Sequence, residues 1–258
     1  MVFPHAGENH LNGIINEKFV VDYLNQNPAN EINTFLKNNS SNPDGTSSVA
    51  SDIVWRHEGG TQQKADCVAQ IGEKSLELSI KNHKSGTHDW INKSNDSEEL
   101  KTAFAEFKQK HAGKEATPAI RSESNVILAN WLNQLTSDQI RGILASIYDP
   151  YPDYIIVNRV SKKQLTMFHK SKLEPYFKPA ADSRFILKST ARAVTSKQIW
   201  LVTADGTEIN THLRIRSVTN NGVNALLGKK GAVACIKIQQ ENVDKFIDSC
   251  VDNVSCSY

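Results

Sequence analysis

Apolar side chains recur every four residues near the start of the chain: Leu11, Ile15, Phe19 and Tyr23. That spacing predicts a helix over residues 12–24 with this stripe as its buried face, ended by Pro28. The polar run 38–48, rich in Asn, Ser, Pro and Gly, predicts a loop. The period then changes. A short apolar stretch over 64–71 leads into a turn at Gly72, and in residues 75–81 Leu76, Leu78 and Ile80 alternate with Glu77, Ser79 and Lys81. Period two around a turn predicts a β-hairpin. Helical spacing returns over 98–111, 126–135 and 138–148, the last capped by Thr136-Ser-Asp. From Asp153 onward the runs at 154–157, 164–168, 199–203, 213–218 and 233–238 read as strands, with Ala204-Asp-Gly-Thr as a hairpin turn. This order predicts a mixed α+β (α/β) fold.

Composition narrows the class. At 258 residues with 39% apolar and 22% charged side chains, the chain can bury a sizeable core in one domain. No stretch approaches the roughly 18 apolar residues of a membrane span, so no membrane partner is expected. The opening residues lack the order of a secretion signal. Cys67, Cys235, Cys250 and Cys256 form no CxxC pair and read as reduced thiols, which points to the cytoplasm. Thirty basic against 28 acidic residues hide a segregation. Between Arg184 and Lys237 nine basic side chains face only Asp205 and Glu208, a formal charge of +7, with Asn and Gly interleaved. Such a segment suits a nucleic-acid backbone, although a solvated basic face has the same composition. A second basic and polar run, residues 81–93, follows the hairpin.

Phosphodiester hydrolysis needs divalent metal held by carboxylates and carbonyls, and benefits from a lysine beside the attacking water. A hairpin can supply both, because residues two apart on a strand point the same way. Asp66 precedes the turn, while Glu77, Ser79 and Lys81 share one strand face after it. Asp52 is a rival carboxylate, more distant from the Lys81 strand. Taken alone, alternating charges also suit an edge strand, and Glu17 reads equally as a solvent-facing glutamate paired on its own helix. Other chemistry has less support. The run from Gly222 to Lys230 has one residue too many for a phosphate-binding loop, and Lys230 stands where Ser or Thr should be. His57, His83 and His88 lack finger spacing, and no GxSxG elbow occurs.

Four stretches together resemble the PD-(D/E)xK nuclease superfamily, and within it the type II restriction endonucleases that cut GCGC and CCGG tetranucleotides. They are the helix GIINEKFVVDYL with its Asn16-Glu17-Lys18 triplet, the hairpin KADC…LELSIKNHKSG, the strand beginning at Asp153, and the closing Lys229-Lys-Gly…Cys235-Ile-Lys-Ile-Gln with its tail from Val243. The resemblance implies a single domain over 1–258 with a central mixed sheet flanked by helices. Its catalytic core would span about 10–160 and its DNA-recognition part about 180–240. It also implies Asp66 as the metal-bridging carboxylate, Lys81 beside the attacking water, and Glu17 as a second acidic contributor, with Ser79 and Ile80 completing the metal set. Ser79 departs from the family pattern, which has Asp or Glu two residues before the lysine, or an amide in the nearer relatives. Serine is a weaker ligand and would act through water, and Glu77 is the alternative source of the missing charge.

The implied activity is Mg²⁺-dependent cleavage (Mn²⁺ substituting) of double-stranded DNA at a short, G·C-containing palindrome, leaving 5′-phosphates. The loop 82–93 and the segment 214–230 would read the site. Lys84, Thr87, His88, Asn92, Arg214, Arg216, Asn220, Asn221, Lys229 and Lys230 are the expected DNA contacts, since Arg and Lys pair well with guanine in the major groove. A monomer or weak homodimer and a cognate DNA methyltransferase as genetic partner are further implications. The alternative is a non-cleaving or repair-type binder that keeps the fold, and Ser79 is the feature that favours it.

Overall fold

The hairpin expected around Gly72 forms part of the first of two sheets in this computed structural model. The structure describes residues 6–39, 52–58, 65–83, 88–94, 98–190, 193–219, 223, 227, 234–250 and 253–258, with the backbone alone at 6–12, 88–94 and 234. In chain order the elements are α1 (Ala6–Gln26), α2 (Glu31–Asn39), β1 (Ile53–His57), β2 (Cys67–Ile71), β3 (Lys74–His83) and β4 (His88–Ser94). Then come α3 (Glu98–His111), α4 (Pro118–Gln134), α5 (Ser137–Tyr148), β5 (Tyr154–Arg159), β6 (Gln164–His169) and α6 (Glu174–Phe177). Strands β7 (Arg184–Ser189), β8 (Ser196–Val202), β9 (Glu208–Thr219) and β10 (Ala234–Gln240) follow, and α7 (Val243–Ser249) and β11 (Val254–Ser257) close the chain. The class is the expected mixture of helices and strands.

The chain divides into two compact units. The first comprises Met1–Gly86, Tyr148–Glu174 and Asp244–Tyr258, and the second Thr87–Ile147 and Pro175–Val243. The first unit holds a six-stranded mixed sheet in the order β1-β2-β3-β5-β6-β11. Strands β3 and β5 run parallel, and the other neighbours are antiparallel. Helices α1 and α2 cover one face, where Val20, Val21, Leu24, Ile32 and Leu36 pack with Trp55, Cys67, Ala69, Leu78, Ile80, Ile156 and Met167. The second unit holds an antiparallel sheet, β4-β10-β9-β8-β7, with α4 against β8 and β9. Its α5 opens with a reciprocal cap: Gln139 N donates to Thr136 Oγ1 and Thr136 N to Gln139 Oε1.

Three expectations need correction. The first helix exists, but its four-residue stripe is not its buried face: Ile15 is 58% exposed and Phe19 41%. The sheet instead receives Asn16, Val20 and Leu24, a slimmer stripe that lets the helix approach the strands. Buried Asn16 is satisfied there, accepting from Asn158 Nδ2 on β5 at 2.6 Å. Phe19 packs edge-on against Tyr258 (ring centroids 4.9 Å apart). Residues 38–39 of the expected polar loop are helical, because α2 runs on to Asn39, and the rest of it lies outside the described residues. The loop expected over 82–93 is largely strand. Residues 82–83 finish β3, and 88–94 form an edge strand whose register is set by backbone pairing to β10. An edge strand has no need of an apolar alternation.

One charged network fastens the C-terminal helix to the first sheet. Arg159, only 3% exposed, donates from Nε to Asp244 Oδ1 and from Nη1 to Asp248 Oδ1, both at 2.7 Å. His83, its registered neighbour on β3, is buried with Nε2 3.9 Å from Asp244 Oδ2.

Candidate active site

The β2–β3 ladder ends one pair short of the residues that matter. Cys67 faces Leu78, Asp66 N donates to Leu78 O at 2.9 Å, and Asp66 O accepts from Glu58 N at 3.1 Å. The next outward-facing donor on β3 is Ile80 N, and β2 has no carbonyl left to meet it. The Asp66 side chain takes that place: Oδ2 accepts from Ile80 N at 2.6 Å. The same oxygen accepts from Ser79 Oγ at 2.7 Å and from Lys81 Nζ at 3.2 Å. Among the described residues no donor reaches Oδ1. Three donors converging on one carboxylate oxygen, two of them on the strand's own alternate residues, are the geometry that period two predicts when an acid stands opposite.

Lys81 is partly buried, its ammonium 5.5 Å from the centre of the Tyr151 ring. Burial pulls its pKa down, but Tyr151, Asp66 and, more weakly, Glu17 outweigh this and hold it above the ordinary lysine value. At neutral pH the carboxylates act, since the Tyr151 phenol is itself pushed up by burial and stays un-ionised. Lys81 is therefore a fixed cation, not a proton acceptor, near neutral pH.

Glu17 comes from α1. Its Oε2 lies 2.8 Å from His57 Nε2 at the end of β1. Strand β1 is anchored to the helices independently: Asn25 Nδ2 donates to Trp55 O and Trp55 N to Asn25 Oδ1, each at 2.9 Å, and Trp55 Nε1 donates to Asn33 Oδ1 at 2.8 Å. The register places His57 beside Cys67 on the helix-covered face, so Glu17 reaches this end of the ribbon from the helix side.

The structure therefore brings Asp66, Ser79, Ile80 and Lys81 into direct contact and sets Glu17 close enough for its charge to act on Lys81. Ser79, 0% exposed, spends its hydroxyl on Asp66, while Glu77 is exposed. The rival Asp52 is 91% exposed and pairs with Lys37 at 3.8 Å. Among the expected DNA contacts, Arg216 is exposed on β9. Arg214 is buried beside it, donating twice to Gln239 Oε1 (3.1 and 2.6 Å) and lying 3.5 Å from Glu241. His88 and Asn92 pair through their backbones with Gln240 and Lys237. Lys84, Thr87, Asn220, Asn221, Lys229 and Lys230 lie outside the described residues. Spacing along the chain did not point to His57 or Tyr151: each joins the site through packing between distant segments.

No group of three or more His, Cys, Asp or Glu side chains is drawn together among the described residues. Magnesium does not require one. It keeps several waters and uses one or two carboxylates plus substrate phosphate oxygens. Asp66 and Glu17, each with one oxygen engaged by the protein and a second without a described donor, fit that demand.

Fold and site together define a mixed α/β protein with a carboxylate–lysine pair at the open end of a β-ribbon. No family model matches the chain, and no curated protein matches it. Among solved structures it is similar to a crystal structure of the restriction endonuclease MspI in complex with its cognate DNA. The identity is 13%, over 74% of this chain and 91% of that one, with a TM-score of 0.33.

Proposed function

We propose that this chain is a divalent-metal-dependent, sequence-specific endonuclease acting on double-stranded DNA, of the type II restriction class. The observation that carries the proposal is the Asp66–Lys81 contact at 3.2 Å on one ribbon end, with Ser79 and Ile80 holding the same carboxylate oxygen. Asp66 Oδ1 and Glu17 Oε1 are the oxygens that would hold magnesium. When bound, the ion would neutralise charge developing on the scissile phosphate and acidify a coordinated water. Lys81, cationic at neutral pH, orients the attacking water and stabilises negative charge beside it. Ser79 keeps Asp66 in one rotamer. The products are 5′-phosphate ends. The exposed Arg216, and those expected contacts that lie outside the described residues, supply base and phosphate contacts at a short G·C-containing palindrome. Action as a monomer or weak homodimer in the cytoplasm, with a host DNA methyltransferase protecting the same site, completes the proposal. Among the described residues no helix is long and apolar enough to cross a membrane.

Purified protein with Mg²⁺ is expected to convert unmethylated phage DNA into discrete fragments. Lys81→Ala should reduce the cleavage rate by about 10³-fold or more while retaining DNA binding. A second reading, a binder that does not cut, is favoured by one observation: the neutral Ser79 stands where the motif carries an acid. It replaces the first if the unaltered protein yields no discrete fragments across a range of Mg²⁺ and Mn²⁺ concentrations.

A further inference from the structure

The Glu17–His57 contact at 2.8 Å is not needed to assemble the fold. Helix α1 and strand β1 are already joined by the two-way bond between Asn25 and the Trp55 backbone, and Trp55 is tied again through its indole to Asn33. A carboxylate only accepts, so the His57 Nε2–H donates to Oε2. Both groups are mostly buried, each side chain 18% exposed. The other oxygen, Oε1, has no described donor. One helical turn earlier stands Gly13, where an added Cβ would come within 3.9 Å of Oε1 and meet nothing else within 4 Å. Gly13 itself therefore puts no side chain over Oε1. Asp66 shows the same division, one oxygen saturated by protein donors and the other without a described donor.

We infer that His57 is a positioning residue that holds the Glu17 carboxylate by one oxygen so that the other is left for the divalent cation. The inference rests on the nuclease reading of the Asp66 site. Carboxylates that ligate metals are themselves hydrogen-bonded, and losing such an outer partner weakens metal binding about 10–100-fold. A flexible glutamate would also have to be ordered by the cation itself, which lowers the affinity gained from it.

The test is Mn²⁺ binding to the full chain, read as loss of the free-ion electron paramagnetic resonance signal, without DNA and without turnover. His57→Ala is expected to weaken Mn²⁺ binding about 10–100-fold, and His57→Gln, which keeps an N–H at similar reach, to recover most of the loss. In a Glu17→Gln background His57→Ala should have no further effect, because His57 acts through Glu17; a merely structural histidine would not show that silence. Unchanged Mn²⁺ affinity in His57→Ala, with affinity lost in Asp66→Asn, overturns the inference and leaves the nuclease reading standing. Unchanged affinity in Asp66→Asn as well overturns both. Should His57→Ala fail to fold, His57→Asn, whose shorter amide cannot reach Glu17, decides the matter by the same readout.

Discussion

Asp66 does two jobs with one side chain. Its Oδ2 completes the β3 edge by satisfying Ile80 N–H, and it also gathers Ser79 and Lys81. Asp66→Ala strands all three donors in a mostly buried place, and each unsatisfied group costs about 1–3 kcal/mol. Urea unfolding should therefore show a loss of about 3 kcal/mol or more, with Asp66→Asn, which keeps one acceptor, losing less. Ser79→Ala removes only a donor and leaves no buried group newly unpaired on Asp66, so its cost should be near 1 kcal/mol. A larger loss for Ser79→Ala than for Asp66→Ala would show that Ser79, not Asp66, organises the ribbon end. The Lys81 ammonium adds an alkaline limit. Its folded pKa lies above the unfolded value, so its contribution to stability is complete at neutral pH and disappears only as pH rises through the folded value.

At the scale of elements, β3 carries the site in its middle and a pH-sensitive join at its end. Burial lowers the His83 pKa, with Asp244 opposing and Arg159 and Lys162 reinforcing the fall. The folded state therefore keeps His83 neutral while the unfolded chain takes up a proton below about 6.5. Stability should decline as pH falls through that value, by up to about 1.4 kcal/mol per pH unit, and level off below the folded pKa. Asp244 resists protonation despite partial burial because Arg159, then Lys162 and His83, hold it down; Arg159 does the same for Asp248. Their contribution is present above the ordinary aspartate range and is lost as pH falls through their lower folded values. Urea midpoints measured from pH 7.5 to 5.5 should slope in the unaltered protein and flatten in His83→Gln. An equal slope in both would assign the effect to other groups. Much of this architecture was legible along the chain. The alternation of Leu76, Leu78 and Ile80 announced β3, Gly72 its turn, and Thr136 the start of α5, because local spacing and turn chemistry decide those features. The covered face of α1 was not legible, since Ile15 and Phe19 made a better apolar stripe than the Asn16–Val20–Leu24 face the sheet selects. Strands β1, β4, β7 and β11 went unread for a related reason: each is a short edge strand with one neighbour, and even the buried alternation of β1 rests on only Ile53 and Trp55. In the site, Asp66 and Lys81 lie on one hairpin and could be paired from sequence. His57 could not, because only non-local pairing of β1 sets it beside Glu17.

The whole chain passes between its two units four times, so the first unit is assembled from three separate stretches. The last of them, from Asp244, supplies both carboxylates that meet Arg159 and the strand that pairs with β6. Ending the chain at residue 243 would take both carboxylates from Arg159 and leave it only the neutral amide oxygen of Gln164, at 3.2 Å, and loss of ion-pair partners from such a place is strongly destabilising. Cys67 reports the result: it is fully buried, and burial also pushes its thiol well up, away from the reactive thiolate. In a Cys235→Ser background, the shortened chain should expose Cys67 to a thiol reagent at neutral pH, while the full chain stays protected. Continued protection after truncation would mean that the remaining stretches hold the first core unaided. The two-residue connection at Gly72–Glu73, with Gly72 at φ +58° in the left-handed region that glycine adopts without strain, has a consequence reaching far beyond the bend it makes. Lengthen that connection by a single amino acid and, if the strands re-pair one step out of phase, every side chain of the outgoing strand would turn over. Leu76 and Leu78 would then take the face now held by Ser79 and Lys81, and the lysine would be driven into oil. Two loop residues thus keep the whole chemistry right side out.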